Sequence, residues 1–521
     1  MSEAHDGRRW VLAALAFGIL LVSFYDAVLA PVRYPYAADS ASYVEMADTL
    51  YHGGRPRVTP WDLEFPDQDR IPQRLFPPGF PLLIAAFVPL TGDATTASLW
   101  PGRLAAALVP LLLLLAFRGA LRDRSLALLG AFALATPGVI GWQYLAYSDV
   151  TALAVAMLAL GVLARGLGLL GAPARLRPGW LALAGCLAGA CYGIRNAGLA
   201  VLAAGLLALA HDAWRQRRGV AALVPWLAGA AGPVVALWSY NVATFGQLQP
   251  YTMPVSQRGW LENVGDYALA AITDLGVPWQ LTEQLPAAIA IAAIALLALG
   301  LAAAWWRLRD DARGQGLLTL VAGYGFGGAL LLVLSRSRYE WGNQIDVRNT
   351  LQYTWALAFG VAIAMSALAG PRLRRAGLAG AAMLVLFLVV TTLHDVTGVR
   401  AAGPEFWQQL NQDPAVLAAP AAEPATTLLA SNDAVLFRIG SRRPVRELEI
   451  SGTDRDFAGA LALLARTAAP RAAVLYLVCD SYTQGFTACG GAAVPGMAAP
   501  PCTPVRRIPP RVWTCRAPRH P

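Results

Sequence analysis

The chain contains no lysine, so every one of its 41 basic residues is arginine, a bias that speaks of coding composition more than of mechanism. Charge of either sign is scarce. Only 14% of the 521 residues are charged against 56% hydrophobic, which excludes a water-exposed surface over most of the chain. A Walker loop, a dinucleotide fingerprint, a His-Glu-x-x-His pair and a nucleophile elbow are all missing, which argues against nucleotide chemistry. The few histidines, His5, His52, His211, His394 and His520, are scattered, so a zinc cluster is not expected and no metal ligand is assigned. No internal repeat is visible, and the inverted halves of many secondary transporters are therefore unsupported. The net charge of +9 raises nucleic acid as a partner, but the arginines form short clusters between apolar runs and mark no basic face.

Those apolar runs dominate what is there. A bilayer core takes about 20 apolar residues per helix. Windows of that kind lie at 10–30, 97–117, 126–144, 149–169, 179–194, 196–212, 220–240, 286–306, 315–335, 351–370 and 376–394, which makes about 11 spans. Arg8 and Arg9 before the first run suit a signal peptide, but Pro31 directly after Ala30 spoils the cleavage site, and an uncleaved anchor is expected.

Orientation follows from arginine. Clusters at Arg8/Arg9, Arg118/Arg122/Arg124, Arg165/Arg175/Arg177, Arg215/Arg217/Arg218, Arg307/Arg309/Arg313 and Arg372/Arg374/Arg375 fill every second connection, which places them in the cytoplasm. The amino terminus is then inside, and the loops 31–96 and 241–285 and the tail after His394 are outside. Cys479, Cys489, Cys502 and Cys515 crowd that tail, where an oxidising compartment favours disulfides, and proximity suggests 479 with 489 and 502 with 515. Reduced, buried cysteines are the alternative.

The first outer loop opens on Asp39-Ser40-Ala41-Ser42-Tyr43, where Asp39 suits a helix cap. It continues to Pro77-Pro78-Gly79-Phe80-Pro81 and an apolar stretch, Leu82 to Leu90, too short to span and suited to the interface. After Arg400 the pattern reads strand (Thr427–Ala430 or Ala434–Ile439), helix (Asp454–Arg466 after a Thr453 cap) and strand (Ala472–Val478). The sequence thus predicts an all-α polytopic membrane protein with a small extracytoplasmic α/β C-terminal domain. Residues 1–396 form the membrane part, with outer loop 31–96, and 397–521 the tail domain.

Several polar residues interrupt the apolar background on the outer face. Asp39 stands just beyond the first span, where a carboxylate can take a proton from an acceptor hydroxyl, or simply cap a helix. Asp149, in Tyr147-Ser148-Asp149, sits at the outer mouth between the third and fourth spans, and capping by Ser148 or Asp149 is the plainer use. Arg195-Asn196 breaks an apolar stretch at the turn between the fifth and sixth spans, where a guanidinium needs an anion or water. The loop 335–349 brings Arg336, Arg338 and Arg348 to the same face; planar guanidinium forks grip phosphate oxygens, and Tyr339 and Trp341 suit either sugar stacking or interface anchoring.

Asp39-Ser40 with Tyr43 and Ala47, the Pro77–Leu83 run, Ser148-Asp149, Arg195-Asn196-Ala197-Gly198-Leu199 and Asp346-Val347-Arg348, in that order, resemble the GT-C glycosyltransferases. The branch of the resemblance is the protein mannosyltransferase and lipid A aminoarabinose transferase type. It implies a polyprenyl-phosphate sugar as donor and an inverting transfer to an acceptor hydroxyl of an envelope lipid, polysaccharide or protein at the extracytoplasmic face of a bacterial inner membrane. Asp39 would be the base, Arg195 and Arg348 would hold the donor phosphate, and Asp149, Tyr43 and Trp341 would orient substrate. Related enzymes often carry an acidic pair where this chain has Asp39-Ser40, so a divalent metal finds no support there. A transporter or flippase of lipid-linked sugars, or a non-catalytic membrane glycan-binding partner, are the competing classes; a transporter would place its polar residues near mid-span.

Overall fold

The computed structural model describes residues 2–61, 63, 67–170, 176–216, 219–250, 253–340, 345–448, 450, 454–469, 471–479, 489 and 502–517. Among them, nine helices are long and apolar enough to cross a membrane, or up to ten when a bent pair is taken as one span. The Pro178–Ile194 helix, with 17 residues, is shorter and occupies the expected segment 179–194. The protein is a multi-span membrane protein. The chain divides into two compact units, one of Met1–Ala27, Arg74–Leu83 and Leu99–Gly398, the other of Val28–Gln73, Ile84–Ser98 and Val399–Pro521. Most of loop 31–96 thereby groups with the tail, a division that linear order alone does not suggest.

In the first unit the Asp149–Gly166 helix is the most enclosed, because its small residues admit neighbours on every side. Gly161 faces Ala116, and a Cβ there would collide with it. The Pro178–Ile194 and Gly219–Phe245 helices approach through reciprocal glycines, Gly185 against the Trp226 carbonyl and Gly229 against that of Ala182, so backbones meet where side chains are absent. The bent pair, Asp123–Ala135 and Pro137–Gln143, turns by 59°. Its cause is Pro137: Thr136 before it adopts ψ 143°, which ends one helix, and the next restarts on proline.

In the second unit, residues Ala38–Gly53 form a helix closed by Gly54 at φ 70°, a conformation only glycine adopts cheaply. Two short antiparallel strands follow, β1 (Arg57–Val58) and β2 (Ile71–Pro72). The Gly79–Thr91 helix, of which residues 84–91 belong to this unit, covers the apolar stretch expected at 82–90. The tail supplies β3 (Leu428–Ser431), β4 (Val445–Glu447), β5 (Ala473–Cys479), β6 (Cys502–Arg506) and β7 (Arg511–Arg516) in the order β4-β3-β5-β7-β6. β4, β3 and β5 are parallel, while β7 runs antiparallel to β5 and β6.

Every residue of β5 is buried, as expected of a strand covered on both faces. Its alternate side chains enter two cores. Leu475, Leu477 and Cys479 meet Phe457, Leu461 and Leu464 of the Asp454–Ala468 helix, and Val474, Tyr476 and Val478 meet Phe437, Leu436, Tyr34 and Ala41. Of the two strand options, Leu428–Ser431 is a strand and Ala434–Ser441 a helix, because Asp433 caps the latter at Leu436 N. Thr453 lies outside the described residues. Cys479 pairs with Cys489 and Cys502 with Cys515, as proximity suggested.

Candidate functional site

The polar residues of the first unit converge at helix ends. Asp149 opens the Asp149–Gly166 helix and Arg195 follows the last turn of Pro178–Ile194 in extended backbone, φ −152°. Asp149 is fully buried, and its Oδ1 lies 2.9 Å from Arg195 Nη2 while Oδ2 accepts from Nη1 at 3.0 Å. Nη1 also donates to the Ser148 hydroxyl at 3.2 Å. Capping by Ser148 or Asp149 was the plainer expectation, but Ser148, at the N-cap, makes no side-chain cap hydrogen bond, and Asp149 pairs with Arg195. Charge explains the change of partner: a buried carboxylate gains more from a guanidinium than from a backbone N–H. The Asn196–Gly198 turn holds Arg195 in place, with Gly198 pressed on the Cys191 and Tyr192 backbone and the Asn196 amide donating to the Leu75 carbonyl at 3.3 Å.

Arg348 stands in the first turn of the Val347–Leu368 helix, whose start is capped by Asp346 accepting from Arg348 N at 2.9 Å. Its guanidinium carbon lies 5.1 Å from the ring centres of both Trp142 and Tyr147, which themselves meet edge to face. Tyr147-Ser148-Asp149 therefore engages both arginines, Tyr147 reaching Arg348 while Ser148 and Asp149 hold Arg195. The arrangement gathers two guanidinium groups at one end of the helical bundle, a geometry suited to an anion.

A second layer of contacts fixes these elements. Asp274, fully buried at the end of the Trp260–Asp274 helix, accepts from Gly138 N at 2.9 Å and from the Thr350 hydroxyl at 2.7 Å. It thereby ties the helix of Trp142 to the helix of Arg348. That helix of Asp274 is not one of the spans, and burial pushes the Asp274 carboxyl up to about 7 against the hydrogen bonds from Thr350 and Gly138. Asp26 and Arg103, from the first and second spans, pair at 2.6 Å. Trp142, Asp274 and the Asp26–Arg103 pair escaped the sequence reading; a charge inside an apolar helix is a signal for the last, since such charges seek partners.

No protein-family model matches the chain, and no curated protein sequence matches it significantly. Solved structures do match. ArnT from Cupriavidus metallidurans, solved bound to undecaprenyl phosphate, superposes with TM-score 0.59 at 14% identity over 98% of this chain and 99% of that one. The archaeal oligosaccharyltransferase AglB from Archaeoglobus fulgidus, solved with an inhibitory peptide and a dolichol-phosphate, gives 0.51 at 11% identity over 92% of this chain and 71% of that one. The chain has the GT-C fold. The expected architecture, many spans with a small α/β tail, is thereby borne out.

Within this GT-C fold, Asp39 and Tyr43 belong to the second unit, on the Ala38–Gly53 helix. Asp39 is half-buried in the first turn of that helix, whose N-cap is Ala37, and the Ser40 hydroxyl accepts from Ala37 N at 3.1 Å. Tyr43 is buried. Trp341 lies outside the described residues. Among the described residues no group of three His, Cys, Asp or Glu side chains is placed to hold a metal ion.

Proposed function

We propose that the protein is an inverting glycosyltransferase that takes a sugar from a polyprenyl-phosphate donor and passes it to an acceptor hydroxyl on the extracytoplasmic face of a bacterial inner membrane. The observation that carries this reading is the pairing of arginines around Tyr147-Ser148-Asp149 in a GT-C fold. The acceptor oxygen attacks the anomeric carbon from the face opposite the phosphate. Its proton passes to the Asp39 carboxylate, and the carbon–oxygen bond to phosphate breaks with its electron pair leaving on polyprenyl phosphate. Charge then builds on the phosphate, where Arg348 and Arg195 stabilise it.

The two arginines are not equivalent. Arg195 already spends up to three of its five N–H donors on Asp149 and Ser148, so Asp149 serves by aiming the guanidinium at substrate. Arg348 lies against the rings of Trp142 and Tyr147, and its planar guanidinium fork suits a phosphate. The buried disulfides agree with a tail outside the cytoplasm. Mass spectrometry of envelope glycans with and without the gene tests the reading; identical glycans would overturn it.

A further inference from the structure

The Ala38–Gly53 helix has eight successive buried residues, Ser40 to Ala47, so it is enclosed on all sides and not a surface helix lying on lipid. What encloses it comes from the far end of the chain. Ala41 shares a core with Leu436, Phe437 and Tyr476. One turn further along the helix, Glu45 is buried, its Oε2 accepting from Thr59 N and its Oε1 from the Thr59 hydroxyl, both at 2.7 Å.

The segment around Thr59 is in turn gripped by two buried arginines of the tail. Arg438 donates from Nη2 to the carbonyls of Thr59 at 2.7 Å and Pro60 at 2.8 Å, and from Nε to that of Val445 at 2.8 Å. Its guanidinium carbon lies 4.5 Å from the centre of the Trp61 ring, and Nε stands 4.0 Å from Glu45 Oε1. Arg446 donates to the carbonyls of Pro60 at 3.3 Å and Gln68 at 2.5 Å, and Glu447 N donates to that of Trp61 at 2.6 Å.

Burying two cations side by side is costly. Burial lowers the pKa of Arg438, and burial with Arg438 as neighbour brings Arg446 down to about 10. Apolar residues of similar size would leave the carbonyls of Thr59, Pro60, Val445 and Gln68 without these donors, so the pair points to a need for one fixed register over the loop carbonyls. We infer that Arg438, Arg446 and Glu45 are positioning residues: they lock Thr59, Pro60, Trp61 and Gln68 and the Ala38–Gly53 helix to the tail sheet and so set the aim of Asp39, six residues before Glu45 on the same helix. The α/β tail is then the seat of the catalytic helix and not an appended binding module. This rests on Asp39 as the base.

The test uses the full chain in detergent, with Glu45→Gln, Arg438→Gln and Arg438→Lys, read by hydrogen exchange of the 38–53 peptide and by kcat and donor KM. The expected result is faster exchange in 38–53 for Glu45→Gln and Arg438→Gln, with kcat down roughly tenfold or more and donor KM unchanged, since small misplacements of a reacting group cost that much. Arg438→Lys, which keeps the charge and one donor nitrogen, should recover part of the rate. Unchanged exchange, or faster exchange with wild-type kcat, overturns the inference. Glu45→Gln alone decides it if Arg438→Gln does not fold. Wild-type turnover in Asp39→Asn would instead remove the base reading while exchange still reports on the tether.

Discussion

Buried Asp149 and half-buried Arg195 form a two-point ion pair, at 2.9 and 3.0 Å, that joins the start of one helix to the end of another. With Ser148 on the same guanidinium and Tyr147 against Arg348, it organises the polar end of the first unit. Breaking one half of a buried pair leaves an uncompensated charge, which costs about 3–5 kcal/mol. Asp149→Ala should lower the melting temperature sharply, and Asp149→Ala with Arg195→Ala should recover part of the loss. A double variant whose loss equals or exceeds the sum of the two single losses would deny the coupling.

Arg348 is expected to depend on shape as much as on charge. Arg348→Lys keeps the charge but loses the planar fork and the two-ring contact, so donor KM should rise about tenfold, with Trp142→Ala giving a smaller rise. Kinetics on purified protein with a polyprenyl-phosphate sugar measure this. Unchanged KM in Arg348→Lys would remove the fork from the phosphate site.

Asp39→Asn keeps the size of the side chain and loses the base. Because the amide keeps the shape of the carboxylate, the variant should express and melt as wild type, while kcat falls by about two to four orders of magnitude. Normal turnover in this variant ends the assignment of Asp39 as base.

Asp274 predicts a pH dependence of stability. Its folded pKa, about 7, stands above the ordinary aspartate value, so between about pH 4 and 7 the folded state holds a proton that the unfolded state has released. Stability is therefore full below that window and falls as pH rises through it, by at most about 1.4 kcal/mol per pH unit. Asp274→Asn, which can still accept from Gly138 N and can donate to Thr350, should flatten the slope of melting temperature against pH from 5 to 8. Equal slopes in the two proteins would contradict the buried acid.

The tail should behave as an oxidised extracytoplasmic domain. Thiol alkylation of native protein followed by intact mass should leave Cys479, Cys489, Cys502 and Cys515 unlabelled until reductant is added. A phosphatase fusion after Arg400 should be active and one after Arg218 inactive. Four labelled tail cysteines, or the reverse fusion pattern, would refute the arrangement.

The spans and much of the tail were legible from residue order because they rest on local physics. An apolar run of bilayer length must close its hydrogen bonds as a helix, and a run such as Ala473–Cys479 suits a buried strand. The candidate cations were legible too, since an arginine such as Arg195 in an apolar turn needs a partner. Its actual partner was not legible: Ser148 and Asp149 read as caps because capping is a local habit, whereas their ion pair joins residues 46 apart. Distance along the chain likewise hid Asp274, which reaches back 136 residues to Gly138, and Arg438, which reaches 379 residues back to Thr59. Periodicity and composition determine which segments become helices and strands, because each is decided within a few turns. Which buried charge meets which is decided only when distant segments pack, because desolvation makes an unpaired charge costly and the tertiary fold alone supplies the partner.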